Sequence, residues 1–180
     1  MISVPDGRSV EAQCTVPAVN NTLSVRLDSS DAPRQGGGGF PGGSKLYCYE
    51  YTWQDAPGRG DYYRVAGDVR DSLSSSSGSY YISGPISWDG NDLVTDVGFD
   101  GTRLTTTSDG RYFQREGGRI LYAYLLTTDE AYYRYHATLR QSRESDSNPF
   151  AEPVLVYSNM KNGLGVFAAF DRHTLVVRLK

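Results

Sequence analysis

The stretch RILYAYLLTTDEAYYRYHATLR, residues 119–140, combines a buried strand with a helix. Over residues 119–127 apolar side chains occupy both alternating faces, which predicts a central strand covered on both sides. The four residues 127–130 fit a capping box, with acidic side chains suited to the positive end of a helix. Apolar residues then recur on one helical face, so the sequence predicts one helix over about 128–143.

Upstream of this stretch, short alternating runs separated by turn residues predict strands. The run KLYCYEYTWQ, residues 45–54, places three tyrosines and one tryptophan on one face. The turn DAPGRG follows, and residues 61–69 return as a strand, so the two runs together predict a β-hairpin. Further strands are predicted at 9–16, at 20–27 and, as an edge strand interrupted by Pro85, at 80–88.

Two biased segments predict loops. Residues 28–44 contain four consecutive glycines and a further Gly-Gly pair, which hold regular structure poorly. Residues 72–79 form a serine tract, which predicts a mobile surface loop.

The C-terminal part supplies the last predicted strands. In residues 147–170, SNPFAEPVLVYSNMKNGLGVFAAF, strands are predicted at 153–157 and 164–170 around an Asn-Gly turn. A strand at 174–179 would pair with the second of these across residues 171–173. The whole pattern predicts a mainly β fold, an immunoglobulin- or fibronectin-like β-sandwich with one α-helix, about 128–143, before the last strands.

Length and composition exclude several classes of protein. The 180 residues suffice for one domain with its own core. The net charge is -3, the pI is about 5.3 and no basic stripe is visible, so we expect no nucleic-acid partner. No apolar run approaches the ~20 residues of a membrane-spanning helix. Cys14 and Cys48 could form one disulfide or remain two buried thiols.

No complete catalytic constellation is present in the sequence. Residues 163–168 match the dinucleotide fingerprint G-x-G-x-x-A, but a predicted strand follows where a helix is required. A Ser-His-Asp triad would need His136 or His173, which fall on a helix flank and in a predicted turn. We therefore expect no catalytic residues, no cofactor and no enzymatic activity.

Acidic turn residues raise the question of a calcium site. Asp89, Asn91, Asp92 and Asp96 could supply oxygen ligands. Their spacing is not that of an EF-hand, so polar turns explain them better, and no metal site is predicted.

The aromatic content offers the best candidates for ligand contact. Of 14 tyrosines and 2 tryptophans, most are expected to pack in a core or to cover it. Tyr80, Tyr81 and Trp88 lie near predicted loops or an edge, where an exposed ring can stack on a flat ligand. They are the predicted ligand-binding residues.

The order and spacing of short features over most of residues 12–170 resemble the C-terminal part of the Bacteroidetes domain-of-unknown-function 4249 family. These features are, in chain order, Asp55, residues 61–64, residues 99–101, Glu130 with Tyr132 and Tyr133, residues 148–150, Glu152 with Pro153, residues 157–159, and residues 162–165 with Phe167.

The resemblance implies a secreted lipoprotein with an N-terminal immunoglobulin-like domain. Residues 1–17 would be the end of that missing domain or a linker, and residues 18–180 the β-sandwich domain. A signal peptide and a lipid-bearing cysteine would lie upstream, so we expect a cell-envelope location, outer membrane-anchored or periplasmic. Members are often encoded beside TonB-dependent outer-membrane receptors, which implies such a receptor as partner.

The sequence therefore predicts a non-enzymatic accessory or binding domain of the cell envelope, associated with TonB-dependent uptake. One alternative is a carbohydrate-binding module or weak glycan hydrolase, since aromatic rings and carboxylates suit both. The other alternative is a structural spacer domain.

Overall fold

The computed structural model describes residues 2–3, 9–31, 45–58, 60–75, 78–113, 118–146 and 150–179. Within them the chain forms eleven strands and one helix. In chain order these are β1 (Ile2–Ser3), β2 (Ser9–Val10), β3 (Ser24–Asp31), β4 (Lys45–Gln54), β5 (Tyr62–Ser75), β6 (Gly78–Pro85), β7 (Leu93–Thr95), β8 (Arg103–Thr107), β9 (Arg111–Phe113), β10 (Gly118–Thr128), α1 (Glu130–Asp146) and β11 (Phe170–Leu179).

The strands form two main antiparallel sheets. The larger sheet has the order β11-β10-β5-β6, with β7 also pairing with β5. The smaller sheet has the order β3-β4-β8, with β9 also pairing with β4. Strand β10 is central, as its two apolar faces predicted, and β6 lies at an edge, as Pro85 predicted.

The two sheets pack face to face on an aromatic core. From the smaller sheet, Tyr49, Tyr51 and Trp53 are each at most 1% exposed. They meet buried side chains of the larger sheet, and the rings of Trp53 and Tyr63 contact edge to face at 5.5 Å between centroids. The predicted mainly β sandwich with one helix before the last strand is confirmed.

Gly67 in β5 leaves room for a tyrosine that crosses the core. The Tyr51 hydroxyl donates a hydrogen bond to the Ala66 carbonyl at 3.3 Å. A Cβ atom on Gly67 would lie 2.5 Å from that hydroxyl oxygen and 3.1 Å from the carbonyl oxygen of Tyr122. A glycine is therefore required at position 67, because there is no room for a side chain.

The helix begins at Glu130, two residues after the predicted start at about 128, and its cap is Asp129 rather than Thr127, the first residue of the predicted capping box. Asp129 accepts a hydrogen bond from the Tyr132 amide at 2.8 Å, as an N-cap residue does. The helix extends to Asp146, three residues beyond the predicted end. It packs beside β5, where the Arg64 guanidinium donates to the Tyr132 hydroxyl at 2.9 Å.

The predicted hairpin of residues 45–54 and 61–69 is wrong. Strands β4 and β5 belong to different sheets, and the connection between them crosses the sandwich. The reason is the aromatic face of β4, which is buried against β5 across the core instead of pairing beside it.

Several predicted boundaries are also wrong. Of the predicted strands at 9–16 and 20–27, only residues 9–10 and 24–27 lie in strands, where β2 pairs with β1 and β3 pairs with β4. Strand β3 extends to Asp31, into the predicted loop 28–44, whose residues 32–44 lie outside the described part. Within the predicted serine-tract loop 72–79, residues 72–75 belong to β5 and residues 78–79 to β6, which pair with each other, while residues 76–77 lie outside the described part.

The predicted strands at 153–157 and 164–170 are wrong as well. Residues 151–169 contain only one isolated bridge, between Lys161 and Glu11. Residues 171–173 do not turn, since β11 runs unbroken from Phe170 to Leu179 and pairs with β10 along its length.

Candidate functional site

A cleft of ≈ 970 Å³ opens at one end of the sandwich, and we call it the end cleft. Its walls come from the segment 13–22, from residues 54–57 and 60–63, from the end of β10 and the start of α1, and from Tyr157 and Asn159. The segment 13–22 is placed partly by Asn20, whose amide donates to the Gln54 carbonyl at 2.8 Å. Such a concave volume is within the range of small-molecule sites.

Turns beside the end cleft bring aspartates together. Asp55 directly follows β4, Asp61 directly precedes β5, and Asp96 and Asp100 lie in the turn after β7. Carboxylate oxygens of Asp55, Asp96 and Asp100 all lie within 4.8 Å of one another. Asp55 is 1% exposed and Asp96 3% exposed, while Asp100 is exposed. We call these four residues the aspartate cluster.

Glycine amides hold the carboxylates in place. Each hydrogen bond joins a glycine N–H to one aspartate: Gly101 to Asp55 at 2.8 Å, Gly60 to Asp96 at 3.0 Å and Gly58 to Asp100 at 2.8 Å. These three glycines have φ angles of +67°, +93° and +142°, respectively, in the left-handed region that side chains disfavour. The Asp-Gly turn at 100–101 is thus a structural requirement of the cluster.

The cluster is joined to the core through Tyr63. The Tyr63 hydroxyl donates to Asp55 at 2.6 Å, and the bond lies in a buried environment. Burial, together with this hydrogen bond, raises the pKa of Tyr63 above its usual range, so the hydroxyl remains a donor at neutral pH. Removing it would leave a buried carboxylate oxygen without this donor.

Asp61 experiences the charge of the whole cluster. Burial is the largest cause of its raised pKa, followed by the carboxylates of Asp55, Asp96 and Asp100. No cation is among these causes within the described residues. The electrostatic potential at Asp61 therefore favours a proton or another positive charge.

Carboxylate oxygens as close together as those of Asp55, Asp96 and Asp100 can act as ligands of a hard cation such as Ca²⁺. Among the residues considered from sequence for calcium, only Asp96 lies in the cluster. Asp92 instead pairs with Arg64 at 3.0 Å and with Arg140. Asp55, Asp61 and Asp100 were not considered as calcium ligands from the sequence.

A second surface lies on the outer side of the larger sheet. Arg70 lies over the ring of Tyr122, with its guanidinium carbon 4.5 Å from the centroid, and Arg172 lies 5.2 Å from that of Tyr124. Arg178 is two positions further along the same side of β11 than Val176, which is 53% exposed. We call Arg70, Tyr122, Tyr124, Arg172 and Arg178 the Tyr-Arg face.

Of the three residues predicted to contact a ligand, only Trp88 has a side chain within the described part of the structure. Tyr80 and Tyr81 belong to β6, and their side chains lie outside the described residues. Trp88 is 4% exposed, and its ring contacts Tyr51 edge to face at 5.2 Å. Ligand contact by these residues stays a prediction, and the buried Trp88 ring cannot offer its face to a ligand from solvent in this conformation.

The two histidines belong to different elements, and both cysteines are free thiols. His136 contacts Tyr132 and Tyr135 on the helix, and His173 is half-buried in β11. Cys14 and Cys48 are both free and half-buried. Neither histidine is among the described residues that line the end cleft.

The fold and its surfaces define a two-sheet β domain with an acidic cleft at one end and an arginine-bearing sheet face. The sequence model of the domain of unknown function DUF4249 matches residues 1–175, so the chain belongs to this family. The comparison with curated proteins found no match, and neither did the comparison with solved structures. Among the described residues, no helix has both the length and the hydropathy needed to cross a membrane.

Proposed function

We propose that the chain is a non-enzymatic accessory domain of the cell envelope, outer membrane-anchored or periplasmic, that binds a TonB-dependent outer-membrane receptor. The family resemblance motivates the location and the kind of partner. The observation that carries the proposal is the Tyr-Arg face, because tyrosine and arginine are enriched where proteins bind one another.

The geometry of this face suits docking. Tyr122 and Tyr124 project from the central strand β10, so their backbone is held on both sides by neighbouring strands. The arginine stacked beside each ring limits its rotamers, which lowers the entropy lost when a partner binds. A rigid aromatic pair of this kind acts as an anchor.

The charge of the Tyr-Arg face indicates the charge of the receptor surface that it contacts. Arg70, Arg172 and Arg178 are exposed on this side of the sheet, and Asp68 is the acidic residue on the same side of β5. The face is therefore positive in a chain whose net charge is -3. Complementary potentials steer association, so the receptor surface in contact is acidic.

The alternative of a carbohydrate-binding module or weak glycan hydrolase is based on the tyrosine and tryptophan content and on the acidic turn residues of the sequence. Of the rings predicted to contact a ligand, Tyr80, Tyr81 and Trp88, burial removes that of Trp88 from reach. Partner binding through the Tyr-Arg face uses only side chains that the structure describes as exposed or half-exposed.

Affinity between the chain and the neighbouring receptor tests the proposal. Biolayer interferometry would measure it for the wild type, for Arg172→Glu and for Arg103→Glu, which reverses an exposed arginine on the smaller sheet. We expect saturable binding that weakens with salt, a loss of about tenfold or more for Arg172→Glu, and no change for Arg103→Glu. Equal affinities for all three proteins, or no binding of the wild type, would refute the proposal.

A further inference from the structure

The floor of the end cleft contains a buried hydroxyl without a hydrogen bond. Thr127 is 7% exposed, and its Oγ1 atom has no partner among the described residues. Thr127 lies opposite Tyr63 in the register of β10 and β5, on the side of β10 that also carries the core residue Leu125. It lines the end cleft together with Tyr63, so a ligand in the cleft can supply the missing partner.

The described lining of the end cleft is acidic. Its charged residues are Asp55, Asp61, Asp129 and Glu130, with no lysine, arginine or histidine among the residues described there. The Asp129 carboxylate already accepts hydrogen bonds from the backbone amides of Tyr132, in the first turn of the helix, and of Ala169. Glu130 pairs with Arg134 at 3.4 Å. The carboxylate that remains for a ligand is that of Asp61.

Asp61 is placed to attract a cation. It is half-buried, and its carboxylate accepts no hydrogen bond from a described residue. Burial, and next the carboxylates of Asp55, Asp96 and Asp100, raise its pKa, so a positive charge placed at Asp61 is attracted by the whole aspartate cluster. Partial burial reduces the screening that water would otherwise provide.

We propose that the end cleft binds an organic cation, whose ammonium group donates to the Asp61 carboxylate and whose chain reaches the Thr127 hydroxyl. The volume of ≈ 970 Å³ is far larger than a single metal ion requires. Tyr62 also lines the cleft, and tyrosine rings attract ammonium groups. None of the residues in this site belongs to the Tyr-Arg face, so the inference stands independently of receptor binding.

Isothermal titration calorimetry with spermidine tests the site, with 1,8-octanediol as an uncharged chain of similar length. We expect saturable binding of spermidine, no binding of the diol, and weakening as NaCl is raised. Asp61→Asn is expected to weaken binding about tenfold or more, because it removes a charge-assisted hydrogen bond. Thr127→Val, which keeps the shape of the side chain, is expected to weaken binding while leaving Tm unchanged or higher.

Asp28→Asn is the matched control, because it removes one carboxylate charge from the exposed side of β3, away from the end cleft. The proposal requires that this variant bind spermidine as the wild type does. An equal loss in Asp28→Asn and Asp61→Asn would show attraction to net charge only and would overturn it. Absence of saturable spermidine binding, or binding of CaCl2 by the wild type with no binding of spermidine, would overturn it too.

Discussion

The substitution Gly67→Ala probes how closely the two sheets pack. The added Cβ would lie 2.5 Å from the Tyr51 hydroxyl oxygen, 2.9 Å from Cδ1 of Ile86 and 3.1 Å from the backbone oxygen of Tyr122. The Tyr51 side chain is 0% exposed, so it has no open space to enter. Gly67 does not have a left-handed φ, so alanine is compatible with the backbone and the cost is steric.

The expected loss of stability follows from two opposing effects. Overfilling a packed core costs roughly 1–3 kcal/mol. Replacing glycine by alanine reduces the entropy of the unfolded chain, which returns roughly 0.4–1 kcal/mol. The free energy of unfolding should therefore fall by about 1–2 kcal/mol, as a shift of the urea midpoint at constant slope.

A double-mutant cycle with Tyr51→Phe identifies the cause. Removing the hydroxyl alone loses the bond to the Ala66 carbonyl, at a cost of about 1 kcal/mol. The same change relieves the contact at 2.5 Å in the Gly67→Ala background. We therefore expect the two substitutions together to cost at least ~0.5 kcal/mol less than their sum. An alanine variant as stable as the wild type, or two additive losses, would refute the packing described for these sheets.

Three further predictions concern polar and titratable groups. Tyr63→Phe should lower the free energy of unfolding by about 1–3 kcal/mol, because Asp55 loses a buried donor; urea unfolding measures this, and an unchanged midpoint would contradict it. Burial and neighbouring carboxylates raise the pKa of Asp61 in the folded chain, so its ionised form destabilises the fold above that pKa. Asp61→Asn should therefore raise Tm at pH 7, and the gain should shrink as pH falls toward about 4, the usual pKa of the unfolded carboxyl; a gain independent of pH would be inconsistent with this cause. Burial, and next the charge of Arg64, lower the pKa of His136, so the unfolded chain takes up this proton first as pH falls through about 6.5. Tm should drop between about pH 7.5 and pH 5, less steeply in His136→Gln, and parallel Tm profiles for the two proteins would exclude this contribution.

Local sequence patterns predicted the elements whose buried faces follow from the alternation of apolar and polar side chains in their own residues. The alternating aromatic face of residues 45–54 became the buried face of β4, and the two apolar faces of residues 119–127 became the central strand β10. The capping-box pattern of residues 127–130 located the start of the helix to within two residues, and the Asp129 side chain there bonds an amide three residues away. In each case the deciding interaction depends on near neighbours in sequence.

Sheet membership could not be predicted in the same way. A short turn after an alternating run is typical of a hairpin, but β4 and β5 face each other across the core. The apolar residues of 153–157 and 164–169 have strand-like composition, yet Leu155 and Leu164 are 90% and 96% exposed. Pairing depends on which edge is free in the folded sheets, and local patterns do not carry that information.

The aspartate cluster could not be predicted from the sequence, for a related reason. Its members come from two segments, 55–61 and 96–100, that lie about 40 residues apart in the chain. Three of the four carboxylates are bound by glycine amides of the opposite segment, Asp55 by Gly101, Asp96 by Gly60 and Asp100 by Gly58, so neither turn alone reveals the cluster. Only the crossing from β4 to β5 and the antiparallel pairing of β7 with β5 bring the two turns together.

Photo-crosslinking tests the proposed receptor binding most directly. A photoreactive p-benzoylphenylalanine at Thr174 would lie on the exposed outer side of β11, beside the Tyr-Arg face, since Thr174 is paired with Tyr124. The same group at Thr105 would lie on an exposed position of the smaller sheet. With the neighbouring receptor present, we predict a crosslink from position 174 and none from position 105. A crosslink from position 105 alone, or from neither position, would contradict docking through this face.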